Sequence, residues 1–287
     1  QNDLFSLPQE TTKTNQDKVK TEAPEELPHF SNIQSVSHQY FLADTKELQQ
    51  NLVEILQKSE AFCFDTETDS LDTQDTDLVG LAFAVKPNEA WYVPIPTNET
   101  EVNAILTLFK PVLENENIKK IGQNLKFDML VLAQYGIGVK GEIFDTMVAH
   151  YLTHPNQQHN MDFMATTLLS YQPVSIESLI GAKGKNQRSM RTVPVELAKE
   201  YAAEDADITF QLYEKLQQEI AKQDLQKLMY EVEAPLVRTL AQMEINGIAI
   251  DTQALAEMSA QYEEELRGLE QHIFKIAKEP FNVNSPQ

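Results

Sequence analysis

One cysteine in 287 residues, Cys63, excludes a disulfide framework and a thiolate metal cluster, and suits a reducing compartment such as the cytoplasm. Cationic side chains are also scarce: 23 Lys plus Arg stand against 44 Asp plus Glu, a formal net charge of −21. That balance argues against broad attraction to a polyanion, which needs a basic face, unless bound cations neutralise the acids locally or a neighbouring domain supplies positive charge. No apolar run approaches the roughly 20 residues that span a bilayer, and the first residues lack the charged-then-apolar order of a secretory signal. No internal repeat is present. What is there is 41% hydrophobic, enough for one large core or two modest ones. The chain starts at Gln1 and stops at Asn284-Ser285-Pro286-Gln287, so it is expected to be a piece of a longer protein.

Residues 1–35 are polar, with Thr21-Glu22-Ala23-Pro24-Glu25-Glu26-Leu27-Pro28 as a linker signature, and little fixed structure is expected there. His38 to Ala43 reads as a strand, and Asp44-Thr45-Lys46-Glu47 as the capping box of a helix with Leu48, Leu52, Ile55 and Leu56 on one face. Ala61 to Phe64, Leu78 to Val85 and Ala90 to Ile95 are β-like runs with short links, which predicts an antiparallel meander. Helices are expected over Glu99 to Leu113 and Lys126 to Tyr135, with a short strand over Lys119 to Gln123 between them. Ile143 to Tyr151, Met161 to Leu169, Pro194 to Lys222, Leu225 to Ile245 and an acid-rich stretch from the cap Asp251 to about Lys278 also read as helical. The pattern is mixed α/β, followed by long C-terminal helices.

Three segments carry chemistry. In Ala61-Phe62-Cys63-Phe64-Asp65-Thr66-Glu67 a buried strand delivers Asp65 and Glu67 to one face, since side chains two apart on a strand point the same way. Paired acids at the end of an apolar strand need compensation, by a hard divalent cation or a shared proton, or else they merely begin a solvated loop with Asp69, Asp72, Asp75 and Asp77. In Ile121-Gly122-Gln123-Asn124-Leu125-Lys126-Phe127-Asp128, a strand, turn and helix start put Asn124 and Asp128 at the carboxyl edge of a sheet. A helix dipole could account for Asp128, and capping for Asn124. On the helix from Pro194, residues Leu197, Tyr201, Asp205, Ile208, Leu212 and Leu216 share one stripe, so Asp205 lies on the apolar face, where an unpaired carboxylate costs several kcal/mol. A buried salt bridge is the other way to accommodate it. Glu204 and Asp207 fall off that stripe and read as solvated charges.

In that order, Asp65-x-Glu67, Asn124-x-x-x-Asp128 and Tyr201-x-x-x-Asp205 resemble the three motifs of the 3′→5′ exonuclease superfamily with four acids and a tyrosine. The strings DTETDSL, GQNLKFD and YAAEDAD are most similar to the proofreading domain of bacterial DNA polymerase I, and EVEAPLVRTLAQMEINGIAIDTQAL with FNVNSPQ resembles that family's passage into the polymerase thumb. The resemblance implies a linker over 1–35, a ribonuclease H-like exonuclease domain over 36–223, and the start of a thumb over 224–287. It implies hydrolysis of the 3′-terminal phosphodiester of DNA with two divalent ions, Mg²⁺ or Mn²⁺. Asp65, Glu67 and Asp205 would hold the first ion, Asp65 and Asp128 the second, and Tyr201 with Glu67 would orient the attacking water. Leu71 would pack on the terminal base or sugar, and Gln123, Asn124 and Phe127 would meet the terminal nucleotide. The implied partners are a single-stranded DNA 3′ end and a polymerase domain in cis, with no membrane; the implied setting is a bacterial cytoplasm, at the nucleoid, as a monomer serving DNA replication and repair.

Three departures from the family pattern touch substrate grip: Phe127 where tyrosine is frequent, Ile176 where an aromatic can pack, and no arginine in 156–160. Palm and fingers are absent from this stretch, so DNA synthesis is not expected of it. A ribonuclease D-like exonuclease would share the carboxylates, against the thumb-like tail; a catalytically silent DNA-binding module fits the −21 charge, against the complete acid set. Lys183, Lys185, Arg188 and Arg191 form the one dense acid-free basic cluster, either a solvated loop or a grip on phosphates.

Overall fold

Ala61–Thr68 forms strand β2 at the heart of a six-stranded mixed sheet, with Phe62, Cys63 and Phe64 fully buried. The sheet is seen in a computed structural model that describes residues 30–184 and 186–285. Antiparallel to β2 runs β3 (Leu78–Lys86), and β4 (Glu89–Pro94) completes the expected meander. Strand β1 (Gln39–Leu42) pairs parallel to β4 at one edge; β5 (Lys119–Gly122) and β6 (Ile143–Asp145) continue parallel beyond β2, giving the order β1-β4-β3-β2-β5-β6.

Strand alternation sorts the two faces. Phe62 and Phe64 point into a core shared with helices α1 (Lys46–Lys58), α2 (Glu99–Leu113) and α3 (Leu125–Gln134). Cys63 points the other way, into a core closed by α4 (Thr146–Thr153), α5 (Met161–Leu168) and the long α7 (Val195–Lys222). Ala198, Ala202, Ala203 and Ala206 are buried along α7, and their small side chains let this helix lie close against the sheet. After a helical turn, α8 (Gln226–Leu228), α9 (Ala234–Asn246) buries Ala234, Val237 and Ala241 in the first core; α10 (Thr252–Ala277) buries no residue. No helix among the described residues is long and apolar enough to cross a membrane.

Several local expectations change. Ile143 to Asp145 is the strand β6, not the opening turn of a helix: it pairs with β5, and Asp145 then caps α4 by accepting from the Met147 and Val148 amides. The continuous helix expected over 225–245 is broken by a π turn at Met229–Glu233, one residue short of Pro235, which has no N–H to continue the ladder. On α1 the buried face is Gln49, Leu52, Val53 and Leu56, with Leu48 and Ile55 exposed. A short helix, α6 (Ile176–Ile180), went unpredicted. Most of the expected linker lies outside the described residues. Its last six, 30–35, are folded instead: Ser31 donates its amide to Ser170 O and accepts from the Gln172 amide, and Asn32 with Ser35 closes a turn.

Candidate active site

Asp65 and Glu67 follow Cys63 with the parity of the strand, so both face α7. Asp205 on α7 comes to meet them. One ligating oxygen from each of Asp65, Glu67 and Asp205 lies within 4.8 Å of the other two. A β-bulge at Glu67/Thr68 ends the regular pairing of β2 with β3 beside the cluster. Beneath Glu67, across the β2–β3 pair, stands Gly80, where a Cβ would fall 2.2 Å from the ring of Tyr92; only glycine lets that ring lie under the site.

The fourth acid arrives from the other face. Strand β5 pairs with β2 only from Ala61 to Cys63, so the Thr66 amide has no strand partner on that edge. It donates instead to Asp128 Oδ1 (2.9 Å), as does the Thr66 hydroxyl (2.6 Å). Asp128 therefore ties the first turn of α3 to the strand between the two acids. Behind it, buried Asp145 accepts from the Leu125 amide (2.8 Å) and the Asn124 amide (3.2 Å), holding the start of α3 while capping α4. Reading 143–151 as a helix hid this residue; an acid at a strand end directly before a helix was the signal.

Burial pushes all four carboxyls up, and the charge of Asp65 adds to the rise at Glu67, Asp128 and Asp205. At Asp128 the two Thr66 hydrogen bonds oppose it. Burial also raises the Tyr201 hydroxyl, helped by the charges of Asp205, one turn along α7, and of Glu67. No ion pair among the described residues includes any of the four acids, so the salt-bridge alternative for Asp205 falls away. Glu67 Oε1 and Asp205 Oδ1 are buried without a hydrogen-bond partner. A hard divalent cation fits that donor set: all ligands are oxygen, and the charge is negative.

The acids line a cleft of about 670 Å³ that also includes Leu71, Gln123, Asn124, Phe127, Ile176, Ile180, Arg188 and Tyr201. Leu71 is 82% exposed at the rim, an apolar side chain with nothing to cover it. The Asn124 side chain makes no hydrogen bond among the described residues, and its backbone is left-handed at φ 60°. Gln123, expected to meet substrate, is already engaged: its amide donates to His159 O (2.9 Å), and its Oε1 accepts from the Thr146 hydroxyl (2.5 Å).

Two readings of the charges are corrected. Glu204 and Asp207 are buried, not solvated. Glu204 accepts from the Tyr171 hydroxyl (2.6 Å) and the Val174 amide (2.8 Å); Asp207 accepts from Tyr40, Asn88 and Gln211. The basic cluster also divides. Arg191 spends its guanidinium on Ile95 O (3.0 Å) and Leu78 O (2.7 Å), clamping the ends of β3 and β4, while Lys185 lies outside the described residues.

Residues 40–221 match the family model described as 3′-5′ exonuclease. The chain is 36% identical over 242 residues to DNA polymerase I of Pseudomonas aeruginosa, covering 81% of this chain and 26% of that protein. It is 39% identical over 241 residues to DNA polymerase I of Chloroflexus aurantiacus (83% and 26%), and 33% over 286 residues to that of Borreliella burgdorferi (98% and 31%). The chain thus spans about a quarter to a third of these relatives. Among solved structures the fold resembles the POL domain of Pol1 from M. smegmatis (TM-score 0.66, 22% identity, 85% of this chain and 39% of that one). It also resembles NrnC of Brucella melitensis (TM-score 0.57, 22% identity, 74% and 94%).

Proposed function

Because this chain belongs to the 3′-5′ exonuclease family of DNA polymerase I, we propose that it removes nucleotides one at a time from DNA 3′ ends by metal-dependent phosphodiester hydrolysis, as the proofreading part of a DNA-directed DNA polymerase. The observation that carries this reading is the pair of orphaned oxygens, Glu67 Oε1 and Asp205 Oδ1, within a converging carboxylate set. Evolving a buried cluster of like charge is costly, and bound cations are what repay it.

Asp65, Glu67 and Asp205 would hold one divalent ion; Asp65 and Asp128 would hold a second, Asp128 partly through water. When bound, a pair of Mg²⁺ or Mn²⁺ ions lowers the pKa of water and offsets charge building on the phosphate. Tyr201, beside Asp205 and with its hydroxyl proton firmly retained, aims the attacking water together with Glu67. Leu71 packs against the terminal base or sugar from the rim, Asn124 hydrogen-bonds to the terminal nucleotide, and Phe127 supplies an apolar ring without a hydroxyl. Gln123, held by Thr146 and His159, braces the cleft wall. The domain runs over 36–223, and 224–287 begins the thumb of a polymerase that acts in cis on the same DNA. The setting is a bacterial cytoplasm, at the nucleoid, with the protein a monomer in replication and repair.

The test is shortening of a 5′-labelled single-stranded DNA, with RNA of the same sequence alongside. The parent should cut DNA from its 3′ end only with Mg²⁺ or Mn²⁺, and Asp65→Ala/Glu67→Ala should be inert. A folded parent that leaves DNA intact in both metals would sink the proposal; preference for RNA would favour a ribonuclease D-like enzyme.

A further inference from the structure

Among the charged side chains of the catalytic cleft all but one are acidic. Asp65, Glu67, Asp69, Asp128 and Asp205 line it, and the one cationic side chain on its wall among the described residues is Arg188. The strap carrying Arg188 folds back on α6: its backbone amide donates to Ile180 O (2.9 Å) and its guanidinium Nη2 to Leu179 O (2.7 Å). That contact holds the side chain at the rim while most of its five N–H donors stay unused. Arg188 is exposed, and although the net charge is −21, no ion pair among the described residues includes it.

Arg188 also stands on a divide. A second groove of about 630 Å³, with Val174, Leu179, Val193 and Leu197 on its walls, shares only Arg188 and Tyr201 with the catalytic cleft. A strand whose 3′ end reaches the carboxylates must carry its upstream phosphates over the rim. A planar fork held in place with free donors and no carboxylate partner is suited to a tetrahedral anion.

We propose that Arg188 binds a backbone phosphate of the substrate strand upstream of the bond being cut. The proposal rests on the exonuclease reading and adds to it a residue that sets where the strand enters. It also separates the basic cluster by role, since Arg191 clamps strand ends and Lys183 lines neither groove.

The experiment measures binding of the full chain, in Ca²⁺ to limit cleavage, to single-stranded oligonucleotides carrying one neutral methylphosphonate at successive positions from the 3′ end. In the parent, one upstream position should cost about tenfold in affinity, the lower end for a charge-assisted contact. Arg188→Gln should lose about the same on the all-phosphate strand, become indifferent to neutralisation at that position alone, and show a log affinity against log salt slope shallower by about 0.7. A bond to Leu179 that merely held the loop would weaken all positions alike and leave the slope unchanged. Arg188→Lys, which keeps the charge without the fork, should bind less tightly yet retain the parent slope. Parent-like affinity and slope in Arg188→Gln, or losses that add at every position, overturn the assignment. If the parent itself neither binds nor cuts DNA, the exonuclease reading fails instead.

Discussion

Asp205→Asn should change thermal stability in opposite directions with and without metal. In the parent the ligating oxygens of Asp65, Glu67 and Asp205 lie within 4.8 Å of one another. At that spacing, with an effective dielectric of about 20, each ionised pair repels by at least about 3.5 kcal/mol. Asp65 is pushed up to about 7 by burial, and Glu67 and Asp205 are raised as well. A carboxyl whose folded pKa exceeds its unfolded one contributes stability that is fully present below the unfolded value and lost as pH rises through the folded value. The metal-free parent should therefore weaken between about pH 4 and pH 8. Asn keeps the shape of Asp205 and removes one charge, so in EDTA at pH 8 the variant should melt above the parent. With Mn²⁺ at 100 times its Kd the parent should gain about 2.7 kcal/mol, or roughly 5–10 °C for a chain of this size. At one fixed Mn²⁺ concentration the shift should be larger at pH 8 than at pH 6, because protons and metal compete for the same oxygens. Asp205→Asn should show less than half of it. Scanning calorimetry at both pH values, in EDTA and in Mn²⁺, reads all of this. A parent with equal Tm in EDTA and saturating Mn²⁺, or a variant with the full parental shift, would refute the argument.

Tyr201→Phe removes only the hydroxyl, so single-turnover cleavage should fall about 10²-fold while the Mn²⁺-dependent Tm shift is retained; a loss as complete as that of Asp65→Ala/Glu67→Ala would end its assignment as a water-orienting group. Glu204→Ala strands the buried Tyr171 hydroxyl, at about 1–3 kcal/mol, and the half-buried Val174 amide, so Tm should drop by several degrees with the metal shift preserved. An unchanged Tm would return Glu204 to the solvated surface.

The sheet's centre was legible because its signals are local. The meander from β2 to β4 shows as three apolar runs with short links, and β2 shows where its acids point through simple alternation. Three-residue β6 could not show itself: Ile-Phe-Asp is too short for any period, and its pairing with β5 exists only once the chain has folded. The π turn before Pro235 was hidden because apolar spacing on either side continues a helical rhythm. The clamp made by Arg191 is silent in the sequence for a similar reason. Its partners, Leu78 O and Ile95 O, are backbone atoms about a hundred residues away in sequence, and no side-chain pattern announces them.

The harder matter is that α7 carries three buried acids within four residues, and the apolar stripe singled out only Asp205. Helical spacing places Glu204 and Asp207 off the stripe, yet α7 is walled on more than one side, by the sheet, whose edge strand β1 holds Tyr40, and by the segment holding Tyr171. Burial alone therefore does not separate a structural acid from a functional one. The supply of donors does. Glu204 and Asp207 receive tyrosine hydroxyls and backbone amides, and Asp145 receives four amides, so each is satisfied by the chain itself. Glu219 Oε2, also without a hydrogen bond, has His154 Nδ1 at 3.5 Å. Glu67 and Asp205 each keep a buried oxygen that no protein donor reaches, and both line the open cleft. An acid that the fold buries but leaves unsatisfied, facing a space that solvent and substrate can enter, is positioned for a ligand from outside the chain. On that criterion hydrogen-bond bookkeeping singles out Glu67 and Asp205, two of the five residues to which the motif order in the sequence points.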